Sequence, residues 1–264
     1  MKTDTTQVHD LVQAQFGATA AAYTTSAGHG DRTALAALVA LAAPKASDTV
    51  LDIATGAGHT ALAFAPHVRE VVAYDLTEEM LGETARNAAQ RGLTNVVTRR
   101  GPAEKLPFSD GEFDIVTVRL ASHHFADNGA AVREMARVTK SDGCVAVVDN
   151  YGPEDEGLDA SYQHMETLRD ASHVRGYRLS VWRKFLQDAG LTIERVVTDH
   201  YSESERGMDF DDWVRRAKTP PDRVAALRRL FTTASPDLRD LLSIRIEGDA
   251  IWFRIPQATF IARR

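Results

Sequence analysis

A glycine-rich loop after an apolar strand is the feature that most constrains the fold of this chain. Residues 50–61 read Val-Leu-Asp-Ile-Ala-Thr-Gly-Ala-Gly-His-Thr-Ala, which predicts a buried parallel strand, a tight turn and the start of a helix. Glycine lets the backbone turn and approach a ligand closely, and the free N–H groups of a helix start favour an anionic group. Because Gly56 to Ala61 also fits the G-x-G-x-x-G/A dinucleotide fingerprint, the loop predicts a nucleotide cleft and leaves the cofactor open.

Composition excludes several classes of protein. The chain has 264 residues, of which 44% are hydrophobic and 26% charged, so it can bury an ordinary core. A formal charge of −6 argues against a nucleic-acid partner. The single cysteine, Cys144, lies in an apolar run, so we expect a core residue and no metal site. We find neither a signal peptide nor a membrane span, which predicts a cytoplasmic protein without a membrane partner.

Strand and helix patterns alternate from Thr49 onwards. Strands are predicted at 49–53, 70–74, 95–99, 113–118 and 143–149, and helices at 59–65, 77–91 and 128–138. This alternation predicts a Rossmann-like, doubly wound α/β fold whose mostly parallel sheet has helices on both faces. Residues 5–43 are alanine-rich and helical, with Gly17 weakening the first helix and Asp31 capping a second.

The pattern changes after Asn150. Helices are predicted near 158–170 and 179–189, a strand at 191–198, and a charged helical stretch over about 207–243. Two C-terminal apolar runs, 250–255 and 258–262, suggest edge strands interrupted by Pro256. We therefore predict a helical N-terminal lid (1–45) and a core domain (46–264) with cap insertions at about 151–180 and 200–245.

Two acidic residues near the loop narrow the choice of cofactor. Asp75 ends the second strand, 19 residues after Gly56, where a carboxylate can accept both ribose hydroxyls of a nicotinamide or S-adenosylmethionine cofactor. Its alternative role is to cap the helix that starts near Thr77. Asp52 has no standard role in a dinucleotide loop, but an acid there can help hold a charged methionine group. The Tyr-x-x-x-Lys pair of short-chain dehydrogenases does not occur in the chain.

Further motifs follow the loop in a recognisable order. They are residues 71–81, Gly101–Phe108, Phe113-Asp114-Ile-Val, His123-His124-Phe125 and Val138–Gly143. Together with the loop, they resemble class I S-adenosylmethionine-dependent methyltransferases, particularly the small-molecule type related to ubiquinone and menaquinone biosynthesis. The resemblance is strong over about 45–150 and implies a seven-stranded sheet with S-adenosyl-L-methionine as cofactor. The loop departs from the family at Ala54, where glycine is usual; alanine is tolerated there if its φ is negative.

The resemblance also implies particular cofactor contacts. Asp52, Ala54 and the backbone of Gly56 and Gly58 would face the methionine group, Asp75 the ribose, Leu76 and Met80 the adenine, Ala103 and Glu104 its edge, and Arg119 the methionine carboxylate. Simpler roles compete with these. Leu76 and Met80 could belong to the core, and Glu104 could be solvated.

The histidines are the candidates for catalysis. Methyl transfer from a sulfonium mainly requires alignment and exclusion of water, but an oxygen, nitrogen or activated-carbon nucleophile can also need a base near neutral pH. His124 follows strand four with His123, at the sheet edge where ligands bind, and one of the two is expected to face the pocket. His173 lies in the segment 169–175, and His29 lies on the predicted lid. We expect at least one of them to line the substrate pocket.

These observations favour S-adenosylmethionine-dependent methyl transfer to a small-molecule acceptor. A nicotinamide-dependent oxidoreductase and a non-catalytic protein that binds S-adenosylmethionine are the alternatives. The sequence leaves the oligomeric state open, and a homodimer is compatible with it.

Overall fold

The structure, a computed structural model, describes residues 5–24, 30–198 and 207–264, with the backbone alone for 21–24. Within these ranges the main sheet has seven strands, in the order β3-β2-β1-β4-β5-β10-β6. These strands are β1 (Thr49–Ile53), β2 (Glu70–Asp75), β3 (Val96–Arg100), β4 (Phe113–Arg119), β5 (Thr139–Asn150), β6 (Thr192–Val197) and β10 (Gln257–Arg263). The first five run parallel, whereas β10 is antiparallel to both β5 and β6. The predicted fold class is confirmed.

Helices cover both faces of this sheet. In the described ranges they are α1 (Thr5–Thr24), α2 (Arg32–Ala42), α3 (His59–Phe64), α4 (Glu78–Gln90), α5 (Asn128–Val138), α6 (Glu156–Arg169), α7 (Leu179–Asp188), α8 (Phe210–Arg216), α9 (Pro221–Thr232) and α10 (Pro236–Leu241). Short 3₁₀ turns occur at Ala65–His67 and Ser122–His124. A small antiparallel sheet has the order β7-β9-β8 and consists of β7 (Met208–Asp209), β8 (Arg245–Glu247) and β9 (Ala250–Phe253).

The central strand β1 is buried along its whole length, as its apolar run requires. Its Val50 pairs with Val71 of β2 on one side and with Ile115 of β4 on the other. One apolar cluster packs the sheet against α5 and α7, and a second packs it against α2 and α3. Both faces are therefore covered, and the free carboxyl ends of the parallel strands form the place for a ligand site.

A third apolar cluster lies outside the sheet, between α6, α8, α9, α10 and the small sheet. Its large side chains include Tyr162, Trp213, Phe231 and Phe253, all fully buried. The ring of Trp213 meets that of Phe253 edge to face, with centroids 4.9 Å apart. The residues after Asn150 thus build a small core of their own beside the sheet.

Three details differ from the sequence predictions. Helix α1 continues through Gly17 to Thr24, because a glycine weakens a packed helix without ending it. The stretch 207–243 is three helices after a short strand, with prolines at the starts of α9 and α10. The C-terminal strands are not edges, since β10 lies between β5 and β6 and β9 is the middle strand of the small sheet.

In the described part of the chain, each helix is too short or too polar to span a membrane.

Candidate cofactor and acceptor site

A cleft lies at the carboxyl ends of β1, β2 and β4, next to the β1–β4 boundary at which the strand order of the sheet reverses. Residues of helix α1 form its other side. The cleft encloses about 940 Å³, including its open mouth. Eight of the ten residues predicted to bind the cofactor line this cleft: Ala54, Gly56, Asp75, Leu76, Met80, Ala103, Glu104 and Arg119. The other two, Asp52 and Gly58, lie behind its wall.

The glycine loop has an unusual backbone. Ala54 has a φ of +51°, so the condition under which alanine was expected to be tolerated is not met, and the residue is strained. The amide of Thr55 donates to the carbonyl of Tyr74 (3.1 Å), which fastens the loop to β2. A Cβ on Gly58 would lie 2.8 Å from Cγ2 of Thr84, so this glycine is required for packing against α4. Gly56 instead borders the cleft, with a φ of +57°.

Asp52 braces the loop from inside. It is 1% exposed, and its Oδ2 accepts hydrogen bonds from Oγ1 of Thr55 (2.6 Å) and the amide of Ala61 (3.0 Å). Burial raises the pKa of this carboxyl to about 7, against the opposing effects of these hydrogen bonds and of the Arg119 charge. Asp52 therefore holds the loop, and its side chain is not among those that line the cleft.

Asp75 connects the glycine loop to the start of α4 and also lines the cleft. Oδ2 accepts from the amide of Gly56 (2.9 Å), and Oδ1 accepts from the amide of Thr77 (2.8 Å), next to the start of α4. Each carboxylate oxygen has two lone pairs, so both can also accept a ribose hydroxyl. The side chain lines the cleft, and burial raises its pKa.

The adenine end of the cleft is apolar and closed at its edge. Leu76, Met80 and Ala103 contribute side chains to the wall, while Glu104 bridges two elements. Oε1 of Glu104 accepts from the amide of Ala126 (2.9 Å), and Oε2 lies 3.2 Å from Nε2 of His9 on α1. The alternative in which Glu104 is merely solvated is therefore wrong.

Helix α1 covers the cleft. Its His9, Val12 and Phe16 line the cleft directly. The helix is fastened to the end of α8 by two hydrogen bonds: Gln15 Nε2 donates to the carbonyl of Ala217 (2.8 Å), and Lys218 Nζ donates to that of Ala18 (2.7 Å). A ligand in the cleft would thus be enclosed by α1.

The end of β4 turns sharply into the acceptor side of the cleft. Arg119 lines the cleft and is 8% exposed; burial lowers the pKa of its guanidinium, while Asp52 and then Asp31 oppose this shift. The next residue, Leu120, has a φ of +54°, and its amide donates to the carbonyl of Val148 (2.8 Å). Strain of this kind persists where the surrounding structure enforces it, and here it directs the turn Ser122–His124.

His124 is the predicted catalytic histidine that lines the cleft. Its Nδ1 lies 3.0 Å from the carbonyl oxygen of Ser172 and 3.2 Å from Oγ of the same residue. A carbonyl can only accept, so Nδ1 carries the proton in the neutral ring and Nε2 offers a lone pair. Burial, and next the charge of His123, lower the pKa of His124 to about 4. The ring meets Phe16 of α1 edge to face, with centroids 4.9 Å apart.

His123 points away from the cleft and pairs with an acid. Its Nδ1 lies 2.6 Å from Oδ1 of Asp149, and its backbone amide donates to Oδ2 of Asp149 (3.1 Å). Burial disfavours the charged ring, but the charge and hydrogen bond of Asp149 outweigh it and raise the pKa of His123. A buried histidine–carboxylate pair therefore adjoins His124, and the ring centroids of His123 and His124 are 4.3 Å apart.

His173 does not reach the cleft. It is 9% exposed, and its Nε2 donates to Oε1 of Gln163 on α6 (3.0 Å). Burial, and then the charges of His123 and His124, lower the pKa of His173 to about 2. The ring of His173 lies next to that of His123, with centroids 5.7 Å apart, and away from the residues that line the cleft. His29 lies outside the described residues.

Sequence reasoning missed three residues that support His124. Asp149 is the penultimate residue of β5, close to the strand end as Asp75 is in β2, and that shared position was the available signal. Asp170 and Ser172 precede His173 in a segment already noted for its histidine. Ser172 contacts His124 from 48 residues away, a separation that local patterns cannot bridge.

The fold and the cleft define a Rossmann-like enzyme that binds an adenosine cofactor, and comparison with known proteins identifies its family. The methyltransferase domain family matches residues 51–147. YcgJ of Bacillus subtilis, an uncharacterised methyltransferase, is 41% identical over 212 residues, which are 80% of this chain and 82% of YcgJ. The crystal structure of YcgJ superposes with a TM-score of 0.80 at 36% identity, covering 88% of this chain and 98% of that one. The chain belongs to the S-adenosylmethionine-dependent methyltransferases.

A named enzyme matches over a shorter part of the chain. The demethylmenaquinone methyltransferase of Thermus thermophilus is 39% identical over 113 residues, 42% of this chain and 51% of its own length. The predicted family and enzyme class are confirmed, and the nicotinamide alternative is set aside.

The residues of the cleft fit S-adenosylmethionine, which is the cofactor of this family. The apolar wall of Leu76 and Met80 suits an adenine ring, and the carboxylate of Asp75 suits the ribose hydroxyls. When bound, this cofactor supplies a methyl group made electrophilic by the sulfonium. The chain supplies the loop, the cover of α1 and the groups around His124.

Proposed function

We propose that the protein transfers the methyl group to a small-molecule acceptor bound between α1 and the turn that carries His124. The observation that carries this proposal is the state of His124 at the cleft. Its Nδ1 is occupied by Ser172, which leaves Nε2 as an uncharged acceptor of a hydrogen bond or proton. An uncharged ring also avoids repelling the sulfonium.

The walls around His124 suggest the character of the acceptor. They are formed mainly by apolar side chains: Val12, Phe16, Leu120, Ala121 and Phe125. Such a surface favours an apolar or aromatic molecular body with one reactive polar group. Relatives named for demethylmenaquinone and for ubiquinone/menaquinone biosynthesis support a small-molecule acceptor.

In this proposal the chain contributes alignment, cover and proton transfer. The glycine loop and Asp75 hold the cofactor, while α1 excludes water from the reacting groups. His124 receives the proton of the nucleophile. Residues 1–45 act as the lid, and about 151–180 and 200–245 act as caps. The expected cytoplasmic location and homodimer stay predictions.

Two measurements test the proposal. We expect S-adenosylhomocysteine binding in calorimetry to weaken at least about tenfold in Asp75→Ala, since charged hydrogen bonds contribute about 1.5–3 kcal/mol. The control is Asp188→Ala, which removes an exposed carboxylate paired with Lys184.

Transfer of labelled methyl to a panel of small aromatic alcohols and amines should fall by about 10²–10⁴ in His124→Gln, with cofactor affinity retained. Equal turnover by this variant would contradict the role of His124.

A further inference from the structure

The polar groups behind His124 form a connected chain, and the inference drawn from them rests on the proposed function. We propose that Ser172 and Asp170 hold His124 in the tautomer that can take a proton from the acceptor. The acceptor is then a molecule that must lose a proton on methylation: one with a hydroxyl, an N–H group or an acidic C–H.

This series of hydrogen bonds runs from the cleft to the buried carboxylate of Asp170. Nδ1 of His124 donates toward Ser172, whose carbonyl and hydroxyl oxygens lie at 3.0 and 3.2 Å. The hydroxyl of Ser172 in turn donates to Oδ1 of Asp170 (2.6 Å), and the amide of Ser172 donates to the same oxygen (2.8 Å). Because the carbonyl and carboxylate accept only, these bonds all point away from the cleft.

Asp170 is suited to balance a positive charge on His124. Burial alone would raise the pKa of this carboxyl, but the charges of His124 and Arg169 and the hydrogen bonds from Ser172 outweigh burial and lower it. Asp170 is 2% exposed, and its Oδ2 has no hydrogen-bond partner among the described residues. A buried carboxylate oxygen without a partner is costly, so its presence calls for a reason. The need to balance a positive charge on His124 would provide one.

The neighbouring His123 keeps His124 uncharged until an acceptor arrives. His123 has its own counter-ion, Asp149, at 2.6 Å, and two buried imidazoles with ring centroids 4.3 Å apart disfavour a second positive charge. The titratable groups around His124 are His123 on the same turn, Asp149 on β5, and Asp170 and His173 on the segment after α6.

The proton and the electrons balance along this path. As the nucleophile bonds to the methyl carbon, its proton passes to Nε2 of His124. Asp170 balances the positive charge that the ring gains, while the Nδ1 proton stays in its hydrogen bonds with Ser172. The electron pair of the broken sulfur–carbon bond stays on sulfur. Loss of the sulfonium charge is matched by the positive charge gained by His124 beside Asp170, so the net charge of the buried site does not change.

An acceptor without such a proton would not need these hydrogen bonds behind His124. Thioethers, tertiary amines and pyridine-type nitrogens attack through a lone pair and release no proton. The fixed tautomer of His124 and its connection to Asp170 therefore favour a protic acceptor over these nucleophiles.

Nuclear magnetic resonance of the imidazole nitrogens tests the inference without an acceptor. The full chain is labelled with ¹⁵N-histidine and saturated with S-adenosylhomocysteine, and the His124 signals are assigned by their loss in His124→Gln. At neutral pH we expect His124 to carry its proton on Nδ1. Ser172→Ala removes only the hydroxyl, and Asp170→Asn removes only the charge. Both are expected to shift the Nδ1 resonance.

Glu166→Gln is the matched control. Glu166 is equally buried, 2% exposed with Oε1 unpartnered among the described residues, and its electrostatic partners include His123. We expect it to move the Nδ1 resonance of His124 less than half as far as Asp170→Asn. A proton on Nε2 in the unaltered protein, or equal shifts in these two variants, would overturn the inference. Calorimetry on the same samples separates this from failure of the proposed function, which would appear as lost S-adenosylhomocysteine binding.

Discussion

Backbone strain at single residues marks the rim of the cleft. Ala54 and Leu120, at the ends of β1 and β4, both have positive φ and both line the cleft. An L-residue in this conformation costs about 1–2 kcal/mol, which glycine avoids at the expense of about 0.5–1 kcal/mol of chain entropy. The strain therefore lowers the free energy of unfolding by a small but measurable amount.

Replacing Ala54 tests that balance. We expect Ala54→Gly to raise the free energy of unfolding by about 0.5–1 kcal/mol in urea denaturation, because it relieves the positive φ. The control is Ala57→Gly in the same loop, where φ is not positive and a buried methyl group is lost. This change should destabilise the protein, and a loss of stability in both variants would argue against strain at Ala54.

The buried histidine His173 predicts a specific sensitivity to acid. Its folded pKa of about 2 lies far below the value of about 6.5 for an unfolded chain. Below pH ~6.5 the unfolded state therefore binds more protons, so stability is lost as the pH falls from that value. The slope can approach about 1.4 kcal/mol per pH unit.

His173→Gln should therefore flatten the acid side of the stability profile. Urea denaturation at about pH 7.5 and at about pH 5 gives the decrease in the free energy of unfolding between these two pH values. We expect this decrease to be about 1–2 kcal/mol larger in the unaltered protein than in the variant. The exposed His67 offers the control substitution, His67→Gln, which should keep the original slope. An unchanged slope in His173→Gln would mean that this ring is not held neutral by the fold.

At the scale of elements, local patterns predicted most of the sheet but not the order of its far edge. The bounds of β1 and α5 agree with their predictions, because an apolar run and a helical repeat are local signals. The position of β10 between β5 and β6 depends on pairing across the sheet, which periodicity does not encode. The same limit hid the contact of Ser172 with His124.

Helix α1 lines the cleft, and we expect its position to control access of the cofactor. It is fastened to the end of α8 by the side chain of Gln15, which donates to Ala217 (2.8 Å). We expect Gln15→Ala to speed the dissociation of S-adenosylhomocysteine by about 5–10-fold in stopped flow, because one net hydrogen bond contributes about 1 kcal/mol. Gln7→Ala, at an exposed position on the same helix, is the control and should leave the rate unchanged. Equal rates in all three proteins would show that α1 does not limit release.

At the scale of the whole molecule, the site joins three parts that are distant in sequence. The sheet ends provide Asp75 and Arg119, α1 provides Phe16, and the segment after α6 provides Ser172. The family match ends at residue 147, before Ser172, so the acceptor side of the site is built partly outside the shared domain. Variation in the acceptor can therefore arise in the cap while cofactor binding is kept.

This arrangement predicts that cofactor binding stabilises the protein and slows hydrogen exchange in all three parts. S-adenosylhomocysteine at about 100 times its Kd should stabilise the protein by about 2.7 kcal/mol. Hydrogen exchange should slow in α1, in the loop 54–59, in 119–126 and in 169–175, since these segments surround the cleft or support His124. The small sheet formed by β7, β8 and β9 packs in a separate apolar cluster and serves as the internal reference. Protection confined to 54–59 would show that the lid and the segment of Ser172 are not coupled to the cofactor. Protection at 169–175 in the unaltered protein, but not in Ser172→Ala, would place that coupling in the contact with His124.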